Sequence, residues 1–110
     1  MTKAEATEEI DKELSMAARA RVVGNEGMVR VCARRAAGGA LRFWLHSNPR
    51  HEWMGDVIRQ LQVLSKEESV PVEVREAAAR LTTRVTPQFE SPHSQDPLTD
   101  CKTIVDFLMQ

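Results

Sequence analysis

Apolar side chains in this chain recur three and four positions apart through five successive segments, which is the spacing of one face of an α-helix. Each segment is apolar on one side only, so each must bury that side against another. Five stripes that can be covered only by one another dictate an all-α fold, a single compact, up-and-down bundle of about five helices over residues 1–110. Composition points the same way: alanine, leucine, glutamate and arginine are prominent, and the chain has five glycines, five prolines and no tyrosine. A length of 110 residues closes one modest core, not two.

The first segment covers residues 3–22, with Ile10, Leu14, Ala17, Ala18 and Arg21 on one face and Thr2 placed to cap it. Its acids come early and its arginines late, the order favoured by the helix macrodipole. Gly24-Asn25-Glu26-Gly27 supplies a helix-ending glycine and then a capping residue. The second helix, residues 26–46, sets Met28, Cys32, Ala36, Gly39 and Phe43 along one side, widened by Ala33, Ala37 and Ala40. Gly38-Gly39 inside a helix costs roughly 1 kcal/mol per glycine, so a neighbour packed very close to this backbone is expected, with a kink as the alternative.

Ser47-Asn48-Pro49 ends that segment. The third helix is expected over residues 51–65, its face formed by Met54, Val57, Ile58, Leu61 and Leu64. Pro71 opens a fourth, which ends near residue 84 with Val74, Ala77, Ala78, Leu81 and Val85 as its stripe. Residues 86–95 form a loop. Asp96-Pro97 then starts a fifth helix, with Leu98, Cys101, Ile104, Val105 and Leu108 buried.

Net charge is −1, but it is unevenly spread. Residues 1–16 hold two lysines against five acids, whereas residues 19–50 hold seven arginines against one glutamate. Arg30 and Arg34 are one helical turn apart, Arg35 is adjacent, and Arg42 follows two turns on. A guanidinium grips phosphate through paired hydrogen bonds, so this face suits a nucleotide, an RNA or an acidic partner protein. The alternative is that these arginines pair with Glu5, Glu8, Glu9 or Glu13, or with acids of another subunit.

No nucleophile elbow, phosphate-binding loop or dinucleotide glycine pattern occurs, and no cofactor is implied. His46 and His51 flank one loop, but their spacing is not that of a helical zinc pair, and no metal is expected. Trp44 and Trp53 bracket the same loop; core packing accounts for them, and a pocket formed with Arg42, His46 and His51 is the sharper possibility. Cys32 and Cys101 fall on apolar faces and read as buried, reduced thiols. The acidic start differs from a secretory signal and no stretch is long and apolar enough to span a bilayer, so a cytoplasmic protein without a membrane partner is expected.

With the helices placed, the order of features resembles the HEPN superfamily. The likeness is carried by a long helix, a glycine turn, an alanine-rich helix and then His51-Glu52-Trp53-Met54-Gly55-Asp56-Val57-Ile58-Arg59-Gln60-Leu61. The Val74 to Leu81 segment, Thr86-Pro87-Gln88-Phe89 and Asp96-Pro97-Leu98-Thr99-Asp100-Cys101 follow. This resemblance implies the bundle and a homodimer. Many HEPN members are metal-independent ribonucleases with an arginine, four to six residues, and a histidine. Here three residues separate Arg42 from His46 and eight separate Arg84 from His93. Neither spacing fits, and what remains is a non-enzymatic binding or interaction domain of HEPN type; from the residues themselves, His46 and His51 join Arg30, Arg34, Arg35 and Arg42 as ligand candidates. A divergent ribonuclease, a toxin-antitoxin component and a structural assembly partner are the alternatives.

Overall fold

The computed structural model describes residues 1–48, 53–83 and 95–110. Five helices account for most of them: α1 (Lys3–Val22), α2 (Glu26–Ser47), α3 (Val57–Leu64), α4 (Val72–Thr82) and α5 (Pro97–Leu108). No strand occurs among the described residues. The expected loop over residues 86–95 and the stripe residue Val85 lie almost wholly outside them, as does His51.

The turns are built as the sequence predicts. The Thr2 hydroxyl accepts a hydrogen bond from the Glu5 amide at 3.1 Å and the Glu5 carboxylate accepts one from the Thr2 amide at 2.9 Å, a reciprocal cap on α1. At its other end Gly24 takes φ +75°, and the amides of Gly24 and Asn25 reach back to the carbonyls of Arg21 and Ala20. That left-handed residue is why a glycine stands there. Asn25 then caps α2 through the Met28 amide.

α2 is the central element, packing against each of the other four helices. Its alanines and glycines make this possible: Ala33, Ala36, Ala37, Gly38, Gly39 and Ala40 are buried, and so is Leu41. A Cβ built on Gly38 would stand 2.7 Å from a methyl of Val57, and one on Gly39 would stand 3.5 Å from Ile10. α3 and α1 thus lie against the glycine pair from two sides, and α2 continues without a break. Close packing, not a kink, explains the pair. Leu61, Leu64, Leu81 and Ile104 complete the core at 0% exposure, each stabilising the fold by about 1.5–3 kcal/mol relative to exposure.

The four long helices, α1, α2, α4 and α5, alternate in direction. Arg21 at the end of α1 pairs with Asp96 at the start of α5, and Arg30 near the start of α2 reaches the end of α4. α5 therefore runs parallel to α2, while α1 and α4 run against it. Among the described residues, no helix is long and apolar enough to cross a membrane.

Three expectations need correction. α3 begins at Val57, not at residue 51, because Gly55 adopts φ +103° and Asp56 is extended and caps the helix through the Arg59 amide. A left-handed residue followed by a cap cannot sit inside a helix. Met54, expected on the buried face, is 78% exposed in consequence. In α1, Ala18 is exposed and Ala6 and Ala20 are buried, since α1 lies on α2 along the line Ala6, Ile10, Ala17, Ala20. Met28 and Ile58, both assigned to apolar faces, are substantially exposed.

Candidate functional site

Arg30, Arg34 and Arg35 are carried on the N-terminal half of α2, but they do not form one solvent-facing row. Arg30 turns inward and is only 7% exposed. Its Nη2 donates to the carbonyls of Arg80 (2.5 Å) and Thr83 (2.7 Å) at the C-terminal end of α4, the first of which also accepts from the Thr83 amide. Its Nε is buried and has no hydrogen-bond partner. Beneath it, Arg80 holds the buried Asp100 with Nε 3.1 Å from both carboxylate oxygens and Nη2 2.8 Å from Oδ1. The geometry is that of a bidentate arginine-carboxylate pair, and it raises the Arg80 pKa still further.

Arg34 is half-buried and Arg35 exposed. Neither makes an ion pair or hydrogen bond with another described residue. Burial lowers the pKa of Arg30, and the neighbouring charge of Arg34 lowers it again; Arg34 is lowered by burial and then by Arg35. Three adjacent guanidinium groups thus repel one another in a partly desolvated setting. Asp100 is an opposite charge within reach of Arg30, but Arg80 already occupies it. On the other side, Arg35 acts electrostatically on Cys32, which sits beside Glu13. Glu13 keeps one buried oxygen without a partner and does not pair with Arg35.

Arg42 and His46 occupy the opposite end of α2. Arg42 Nη2 donates to Glu9 on α1, one of the acids proposed from the sequence as its structural partner. Both line an open pocket of about 580 Å³ with Leu45, Trp53, Met54 and Gln60. Trp44 packs on Trp53 with ring centroids 5.5 Å apart and planes tilted by 45°, and both indoles border the core. Of the five residues expected to build this pocket, the structure brings Arg42, His46 and Trp53 to it and turns Trp44 toward Trp53. His51 lies outside the described residues.

The two cysteines are free and buried. Burial pushes the Cys101 thiol up to about 12, and burial followed by Glu13 raises Cys32, so neither is poised as a nucleophile. Among the described residues no cluster of histidine, cysteine and acidic side chains could hold a metal ion.

Sequence reasoning missed the burial of Arg30 and Asp100. The signal was periodicity: Asp100 is in phase with Ile104 and Leu108, and Arg30 with Ala33, Ala37 and Leu41, all of them buried. Comparison with protein-family models, curated proteins and solved structures gives no match to this chain.

Proposed function

We propose that this chain is a non-enzymatic helical binding domain of HEPN type that holds a phosphate-bearing ligand on the N-terminal half of α2. Arg34 and Arg35 supply the direct contacts and Arg30 backs them. One observation carries the reading: three neighbouring arginines, two of them desolvated, have no carboxylate partner of their own among the described residues. Like charges so placed destabilise the free protein, and an anion between them relieves that repulsion while supplying acceptors for idle N–H groups. No aromatic ring stands among these arginines in the sequence, so the contact is to phosphate and not to a stacked base.

Arg42 is excluded from this site because Glu9 engages it. Titration of labelled single-stranded RNA and of a labelled mononucleotide tests the reading. Arg34→Glu with Arg35→Glu abolishes binding of whichever probe the wild type takes, while Arg42→Ala leaves it unchanged. Absence of binding to both probes at low salt, or binding that survives the double reversal, overturns the proposal. The homodimer implied by the resemblance belongs to the same reading and is tested by light scattering of the wild type.

A further inference from the structure

α1 and α5 both lie on α2, but their backbones stay apart from each other. An open groove of about 450 Å³ remains between them, its floor formed by Ile10, Leu14, Leu98, Val105 and Met109. The volume is in the range of binding sites, and the shape is a furrow between antiparallel helices. Its level can be fixed. Arg21 on α1 pairs with Asp96, the cap of α5, at 2.9 Å, which ties the two helices together at one end.

From that tie, Asp11 is ten residues back along α1 and Asp106 ten residues forward along α5. Each therefore lies about 15 Å from it at the helical rise of about 1.5 Å per residue. The two carboxylates therefore sit at about the same level on the two helices, and both line the groove. Lys102 bonds to Asp106 at 2.8 Å, whereas Asp11 has no ion pair among the described residues. The last turn of α5 also lacks a basic residue, so the negative end of its dipole adds to the same region.

The groove is thus apolar along its floor, and its rim carries the two carboxylates of Asp11 and Asp106 against the single ammonium of Lys102, an excess of one negative charge. We infer that it receives an amphipathic helix of a partner protein, apolar along one side and bearing lysine or arginine where it passes between Asp11 and Asp106. A second copy of this chain is the poorer occupant, because pairing the same face with itself sets four carboxylates against two lysines that are already engaged. An apolar stripe laid in an apolar groove, with flanking charges selecting the partner, is an established mode of helix recognition.

The test uses the full chain and two synthetic four-turn helical peptides, each with a leucine stripe, one flanked by lysines and the other by glutamates at the same positions. Fluorescence anisotropy at low salt should show the lysine peptide binding about tenfold more tightly or better. The charge-neutral pair Leu14→Ser and Val105→Ser should weaken it by about tenfold. Asp11→Asn with Asp106→Asn, a change at solvent-exposed positions that keeps the circular dichroism spectrum, should remove the preference between peptides. Arg34→Ala should leave all of this unaltered. Equal binding of the two peptides, binding that survives the serine pair, or no binding overturns the inference. So does a wild-type dimer that the serine pair converts to monomer, since the groove would then belong to a second copy.

Discussion

A single methyl group added at Gly38 should bring no gain in stability and a loss of up to about 2 kcal/mol, while the same group added at Gly39 should stabilise the protein. Both glycines lie inside α2, where replacement by alanine recovers about 1 kcal/mol of backbone entropy. At Gly39 the new Cβ meets Ile10 at 3.5 Å, an ordinary contact, so the gain is kept. At Gly38 it would stand 2.7 and 2.8 Å from the two methyls of Val57. Val57 is β-branched and directly follows the capping Asp56, so its side chain cannot swing aside and α3 must move. Overpacking of this kind costs roughly 1–3 kcal/mol, which leaves Gly38→Ala neutral to about 2 kcal/mol less stable than wild type. Urea unfolding followed by far-ultraviolet circular dichroism reads both variants. Val57→Ala removes the obstructing methyls, and in that background Gly38→Ala should become stabilising by about 1 kcal/mol, a coupling of roughly 1–3 kcal/mol. Equal shifts for the two glycines in the wild-type background, or no coupling with Val57, would refute the close approach of α3 to α2.

Asp100→Ala leaves Arg80 without its buried partner and should cost about 3 kcal/mol, the lower end for a broken buried pair because Arg80 retains some exposure; chemical denaturation measures it. Asp96 both caps α5 and pairs with Arg21, and the Arg21 hydrogen bonds hold its carboxyl below the ordinary value of 3.8. Its contribution is therefore complete above pH 3.8 and disappears as pH falls through the lower folded value. Asp96→Asn keeps the cap and should cost well under about 1 kcal/mol, since the pair is exposed. Asp96→Ala should cost about 1 kcal/mol more, and in thermal melts below pH 3.8 the gap between wild type and Asp96→Asn should narrow.

The five helices were legible because each carries one apolar stripe and most carry a visible cap. Lys3–Val22 and the Asp96-Pro97 start follow the sequence reading to the residue. The start of α3 did not, because Met54 fits the helical spacing while Gly55 and Asp56 decide the backbone, and a φ of +103° is invisible to a hydrophobic count. The glycine pair announced that something packs close, but which helix does so depends on tertiary arrangement. For the candidate site the arginine run was plain, whereas its division was not. A charged residue in phase with a buried stripe turns inward only when a neighbour offers helix-end carbonyls that can accept a further donor, as the end of α4 does for Arg30. The acid that takes Arg42 was among those the sequence proposed.

Contact of Arg34 and Arg35 with phosphate is the central claim, and the salt dependence of binding tests it directly. For labelled single-stranded RNA, the plot of log affinity against log salt should have a slope near −1.4, the value for about two neutralised phosphates. Arg34→Ala with Arg35→Ala should bring the slope close to zero, and Arg42→Ala should leave it alone. A wild-type affinity that does not vary with salt, or a slope that the double variant retains, would contradict the account.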